Sequence, residues 1–455
     1  MTLPPREHVR ALLVRGLGAV HLVAFLSLWS QIDVLFGSRG LLPVSEWIGR
    51  APFFHFPSIF HLCARDGFLH ACAALGSVLS VLVLLGKGPR FLLPVLWALY
   101  LSFTVAGSQF FSFQWDTLLL EATFFVWLAV LRPGNVTTAL LLFLVVKLHV
   151  ESGLSKLLTG DATWRDLTAV ATYYETAPLP TPLAWWAHQL PMPVHKATSL
   201  LVLVIEIGAP ALVVAPHRVR GALFVLLAGL QAATELTANY GFFNLLTALL
   251  CVVVLDDEHL AWVARFFKKD PLPKLETPPR RPYEVPGACA LAALSILPFV
   301  GRFSSLELPL VYEPFRTLNA YHLFATMTLD RCEAVIEGSQ DGERWEEYEF
   351  RWKPGDPRRA PSFVAPHQPR VDFLLWFARL HSVHDTLYLE RLCQRLMTRP
   401  DEVRSLFAHM PFEGKAPRFL RIQTYQYTFT RLGEGTGAWW ERTLLPRETE
   451  EISPH

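Results

Sequence analysis

Six ionisable residues stand inside apolar stretches of this chain: Glu121, Lys147, Glu151, Lys156, Glu206 and Glu235. A charge at the centre of a membrane helix costs roughly 3 kcal/mol unless it is paired, so each is a candidate for a structural ion pair or for chemistry. Lys147 and Glu151 are one helical turn apart. Counting inward from the span ends at about 1.5 Å per residue puts Lys147 and Glu206 at a common depth of about 15 Å, where they could pair, and Glu121 and Glu151 near 9 Å. The expectation is a buried acidic and basic network that holds helices in register. Lys156, in SGLSKLLTGDATW, is expected close to the membrane surface, snorkelling to water or presenting an amine to an outward-open cavity. A desolvated lysine can serve as a general base, which gives an enzymatic reading a physical route, with Glu121 or Glu151 tuning it. His21 and His149 read as polar groups satisfied between helices, since no second histidine sits at ligand spacing. The six cysteines are scattered without a C-x-x-C pair. Neither a metal centre nor a cofactor is expected.

The elements that would position these side chains are membrane spans. A composition that is 52% hydrophobic and only 18% charged lies outside the soluble range, and a net charge of +1 supplies no field to recruit nucleic acid. Nine apolar runs, beginning at Gly16, Phe68, Phe91, Trp115, Val136, Ser199, Ala222, Phe242 and Cys289, are long enough to cross or nearly cross the hydrocarbon core. The last two are short, and losing one would move the C-terminal region to the other face. The first run lacks a small-residue cleavage site and reads as a retained anchor. With the N-terminus in the cytoplasm, the cytoplasmic loops hold fourteen Lys and Arg and the short outer loops four, which fits an odd number of spans. Residues 1–304 are thus expected to form a multi-pass domain and 305–455 an extracytoplasmic one. The outer loop 158–194 is aromatic and Pro-rich, and reads either as an interfacial aromatic belt or as a lid.

Beyond the last span, EAVIEGS, QDG and ERWEEYEFRWK read as strand, turn and strand, and RFLRIQTYQYTFTRL as a further strand. DFLLWFARLHSVHDTLYLERLCQRL has helical spacing, and KPGDPRRAPSFVAPHQPR is an ordered crossing or a loop. A β-rich, sandwich-like domain with one or two helices follows, without a legible catalytic motif.

Several longer strings are more specific. FQWDTLLLEATF, SGLSKLLTGDATWRDLTAVATYYETAPLPTPLAWWAHQLP, IEGSQDGERWEEYEFRWKPGDPRRAPSFVAPHQPRVDF, and YQYTFT followed by WWER closely resemble the lipase maturation factor family, from about Leu13 to Trp440. The resemblance implies a multi-pass protein, resident in the endoplasmic reticulum in the animal members, that helps secreted lipases reach their active form. The implied partners are the bilayer and a secreted lipase or another exported client. Positions matching the family's motifs are Trp115, Asp116 and Glu121, then Lys156, Trp164, Tyr174 and Glu175. In the C-terminal domain they are Asp341, Gly342, Pro354, Gly355, His367, Pro369, Arg370 and Asp372. Phe373, Leu374 and Leu375 replace a Trp and a Gln-Met pair of the animal pattern. The excess of Arg over Lys gives the chain a bacterial look, which would make its outer side periplasmic.

The membrane part is also distantly similar to vitamin K-dependent gamma-carboxylase, where the lysine matching Lys156 is the base. That enzyme needs a histidine before the WD pair, and GSQFFSFQWD has none. Two readings therefore stand: a maturation factor with a filled helical scaffold, or a membrane enzyme with Lys156 at the end of a polar cavity. A transporter would show internal repeats and broken helices, and neither is legible.

Overall fold

A computed structural model of the chain describes residues 6–266, 283–304, 312–377, 387–434, 437–445 and 450–452. Five helices come first: α1 (Glu7–Trp29), with the short turn α2 (Ile32–Leu35) after it, α3 (Asp66–Leu84), α4 (Pro89–Ala106), α5 (Gln114–Leu131) and α6 (Asn135–Leu158). The aromatic loop folds into α7 (Ala162–Arg165), α8 (Ala169–Thr176) and α9 (Pro182–His188). Next are α10 (Met192–Leu203), running on through irregular helical turns to Val214, then α11 (His217–Thr237), α12 (Phe243–Cys251), α13 (Asp257–Phe266) and α14 (Glu284–Phe303). Eight of these helices are long and apolar enough to span a membrane, and α12 with its last turn to Val254 is a shorter apolar helix. The chain is therefore a multi-pass membrane protein. Its outermost helices confirm the solvent they need: Leu200, Leu201, Val225, Leu226, Leu294 and Ile296 are exposed on α10, α11 and α14, an apolar surface that only hydrocarbon covers without penalty.

α1 gives the bundle its direction. At its start, Arg6 donates to Val253 O and the backbone N–H groups of Glu7, His8 and Val9 donate to the Asp257 carboxylate. Those N–H groups are the orphan donors of a helix N-terminus, and an aspartate there also complements the helix dipole. At its far end, Ser27 and Gln31 bond to His367, Gln368 and Arg370 of the C-terminal domain. A 23-residue helix separates the two ends by about 35 Å. The short α12 joins the same two levels. Before it, Asn239 donates to Ser362 O, and Gly241, at φ +59°, sits where a Cβ would meet Gln368 Oε1 at 2.7 Å. After it comes Val253 beside Arg6.

α13 buries none of its side chains and exposes Trp262, Val263 and Phe266, as suits a helix lying in an interface.

The C-terminal domain is built on one antiparallel sheet: β1 (Arg331–Ser339), β2 (Glu346–Phe350), β3 (Phe407–His409), β4 (Phe419–Phe429), β5 (Trp440–Leu444) and β6 (Glu450–Ile452), with β1 and β4 central. The expected hairpin is β1–β2. Asp341 Oδ1 accepts from the backbone of Glu343 and Arg344, and Gly342 takes the positive φ that the turn requires. The described strands form a single sheet, and the second layer is helical: α15 (Arg370–Leu375) and α16 (Leu387–Thr398), the latter burying Leu389, Leu392 and Leu396 and packing on β4. The middle of the predicted helical stretch, residues 378–386, lies outside the described residues. On its other side the sheet meets the aromatic loop, where Trp185 packs on Trp439 and Ala184 on the Tyr427, Phe429 and Trp440 cluster.

Candidate functional site

The motif residues converge on the seam between bundle and sheet domain. Asp116 lies in the first turn of α5, where a helix N-terminus favours an anion. The fork of Arg370 closes on it, Nη1 at 2.7 Å from Oδ2 and Nη2 at 2.8 Å from Oδ1, while Tyr100 donates to Oδ1 at 2.6 Å. Arg370 also donates to Phe110 O and stacks 3.5 Å above the Phe111 ring. Burial disfavours its charge, but Asp116 more than compensates and raises the guanidinium pKa further. His367, Pro369 and Arg370 thus form a plug seated between α1 and α5. Trp115 stacks on Phe113 and meets Phe373 edge-on, so the apolar replacement at Phe373 belongs to the same joint. Asp372 accepts from Trp352 N and Lys353 N and fixes the turn carrying Pro354 and Gly355, whose carbonyls receive Lys353 and Tyr427. On the loop side, Glu175 accepts from Phe429 N.

One layer deeper, Lys147 donates to Glu121 at 2.7 Å and to Ser295 at 2.7 Å. The other Glu121 oxygen receives Tyr321 OH at 2.6 Å and both nitrogens of Asn319. Glu151 accepts from Tyr321 N, and Glu235 accepts from Asn244. These charges are each hydrogen-bonded, in separate groups, and the pairing differs from the depth count. Lys147 pairs with Glu121, and Glu206 pairs with Lys156 at 2.7 Å. Two local features account for the change. The helix opens into a π turn over Val204–Gly208, which re-aims Glu206. Gly153 then lets α6 approach so closely that a Cβ there would fall 2.5 Å from Ile207 and 2.9 Å from Glu206.

Lys156 does not snorkel. Its side chain is 2% exposed because Trp164 lies 5.2 Å away across it and the Leu323 carbonyl closes over it. Its ammonium donates to Glu206, Leu323 O and Ser152 O, which uses all three hydrogens. A lysine so engaged is placed as an ion-pair partner of Glu206. Beside it is a cavity of about 830 Å³, walled by aromatic rings such as Trp115, Trp164, Tyr173, Phe243, Phe324 and Phe373 and by Tyr174. The aromatic loop supplies part of that wall. His21 bonds to Thr123 through one ring nitrogen, and His149 to Val145 O; the second nitrogen of each has no partner among the described residues.

At the opposite end of the bundle is a cluster that sequence reasoning missed. His217, Asp256 and His259 place their ligand atoms within 4.8 Å of one another. Asp256 and His259 are three residues apart, but His217 lies 39 residues before Asp256, and a lone Asp–His pair matches no metal-motif spacing. Arg220 takes the same Asp256 carboxylate, the two imidazoles stack 3.6 Å apart, and His259 N also donates to Asp256. Burial opposes the Asp256 charge, but these donors from His217, His259 and Arg220 hold its pKa below the usual range. With its charge already balanced by an arginine, the cluster reads as a clamp between α11 and α13.

Residues 8–262 match the lipase maturation factor transmembrane domain, and residues 317–449 the lipase maturation factor C-terminal domain. The chain belongs to the lipase maturation factor family. Bovine lipase maturation factor 1 is 31% identical over 96% of this chain and 87% of its own length. Human lipase maturation factor 2 is 31% identical over 98% and 82%, and human lipase maturation factor 1 is 29% identical over 98% and 89%. No solved structure matches. The family's transmembrane match ends before α14, and its C-terminal match begins just before Asn319 and Tyr321, so the residues that satisfy Glu121 come from both parts.

Proposed function

We propose that this chain is a membrane-bound maturation factor that assists folding or assembly of a secreted lipase or a similar exported client, with residues 1–304 as the anchor and 305–455 as the extracytoplasmic domain that meets the client. The observation that carries the reading is the nearly full-length similarity to lipase maturation factors 1 and 2, through both domains. The N-terminus is cytoplasmic and the sheet domain periplasmic in a bacterium or lumenal in a eukaryote; the Lys and Arg bias of the loops and the opposite placement of the two at the ends of α1 support this. The buried Arg370–Asp116 pair and the bonds of Arg370 to Phe110 O and of Ser27 to His367 support a rigid mount for the client-facing sheet. The motif residues at the seam act through that mount and not through chemistry.

Cells lacking the protein, complemented with wild type or with the double variant Lys156→Met/Glu206→Gln, test the reading. The double change removes both charges together, so neither is left buried alone. Lipase activity per secreted molecule restored by both proteins at equal abundance is the expected result. Loss of activity with the double variant at normal abundance would transfer the role to chemistry at Lys156.

A further inference from the structure

The cavity beside Lys156 carries polar atoms that the protein itself leaves unanswered. Trp115 Nε1, His149 Nε2, Asn244 Oδ1 and Thr247 Oγ1 belong to side chains in its wall, each residue is at least nine-tenths buried, and none of these atoms has a partner among the described residues. Leaving a polar group buried and unbonded costs about 1–3 kcal/mol, so these four, with the Tyr240 hydroxyl that meets the same description, mark a wall where something else completes the bonds.

Their roles define that occupant. A carbonyl only accepts, so His149 Nδ1 donates to Val145 O, and the buried neutral ring is left with an accepting Nε2. Asn244 spends its Nδ2 on Glu235, which leaves an accepting Oδ1. Trp115 can only donate, and Thr247 does either. The wall therefore asks for at least two ligand hydroxyls as donors and one ligand oxygen as acceptor. Its buried part offers no free counter-charge: the one buried cation of the wall, Lys156, gives its hydrogens to Glu206, Leu323 O and Ser152 O, and the wall's other cation, Arg302, is exposed to solvent. The rest is aromatic and aliphatic. At about 30 Å³ per water-sized group, 830 Å³ holds on the order of thirty non-hydrogen atoms, enough for one long acyl chain and a small head. Thr198 and Val202 of α10 and Leu230, Ala233 and Thr237 of α11 line it while partly exposed within membrane spans, which provides a side entrance from the bilayer.

We propose that the cavity binds an uncharged single-chain acylglycerol, a monoacylglycerol in class, with its glycerol hydroxyls on His149 and Asn244, its ester oxygens accepting from Trp115 and Thr247, and its chain among the aromatic rings. The lipid acts as a ligand of the membrane domain, and no covalent step is involved.

The test uses the full-length protein in phosphatidylcholine nanodiscs with a trace of monoacylglycerol bearing a diazirine in the acyl chain. Light-induced labelling is expected on the aromatic wall, at Trp164, Tyr173, Phe243, Phe324 and Phe373. Excess unlabelled monoacylglycerol should compete it away, and equal amounts of free fatty acid or lysophosphatidylglycerol should not. Thr247→Val, a near-isosteric change, should weaken labelling about fivefold, as loss of one hydrogen bond predicts, and His149→Phe at least as much. An unchanged melting temperature of the Thr247→Val protein separates lost binding from lost folding. Labelling confined to lipid-facing residues, or competed equally well by the charged lipids, overturns the assignment.

Discussion

Arg370 of the sheet domain and Asp116 of α5 meet as a two-pronged ion pair, 2.7 and 2.8 Å across its two bonds, with both side chains sealed from water. It couples the folding of the two domains. Removing one member leaves the other charged, buried and unpaired, at a cost of about 3–5 kcal/mol. Arg370→Met or Asp116→Asn should therefore lower the melting temperature of the purified protein sharply, whereas the double change should recover part of the loss. Arg370→Lys should not rescue, because a single ammonium cannot reach both Asp116 oxygens and Phe110 O while covering the Phe111 ring.

The Glu121 layer makes a second, deeper prediction. Lys147→Met leaves Glu121 facing only neutral donors: Ser295, Asn319 and Tyr321. Protein abundance in the membrane should fall, and Lys147→Met/Glu121→Gln should restore most of it. Tyr321→Phe removes one charge-assisted bond and should cost about 1.5–3 kcal/mol, read as a drop in thermal stability without loss of membrane insertion.

Opposite ends of α1 hold the N-terminal residues and the sheet domain, so reporters fused to the two termini should report opposite compartments. Alkaline phosphatase fused after residue 455 should be active in a bacterial host, and a green fluorescent protein in the same place dark; at the N-terminus the pattern should reverse. Phosphatase activity at both termini would require an even number of crossings and would remove α12 from the count.

The helices were legible because a span is a local property: twenty apolar residues announce themselves wherever their partners lie. The β1–β2 hairpin was legible for the same reason, since Asp341 and Gly342 carry their turn chemistry within four residues. What could not be read was which charge meets which. The depth count treats helices as straight cylinders with known ends. α1 starts at Glu7 and not at Gly16, and the π turn at Val204–Gly208 rotates Glu206 off the expected face. The acceptor and donors that finish the network, Leu323 O, Asn319 and Tyr321, lie beyond the last span, where no window centred on Lys156 or Glu121 would look. The single sheet backed by α16 shares its alternating pattern with a sandwich, because alternation tells which face is buried and not what buries it.

Asp372 gives the sheet domain a pH dependence of its own. Burial lifts its pKa to about 6, against the backbone N–H groups of Trp352 and Lys353 and the Lys353 charge, which pull it down. A raised value means that the folded protein holds the proton more tightly than the unfolded chain, where an aspartate titrates near 3.9. The resulting stability is fully present below about pH 4 and is lost as pH rises through about 6, by at most about 3 kcal/mol. Asp372→Asn keeps an oxygen for the two N–H donors and removes the titration. Any packing cost of the amide is independent of pH and drops out of the comparison. The melting temperature of the variant minus that of wild type, measured in detergent at pH 4.5, 5.5 and 7.0, should therefore rise in favour of the asparagine as pH increases. A difference that stays constant across that range would mean that Asp372 is ionised throughout, held by its two backbone donors more strongly than burial opposes them.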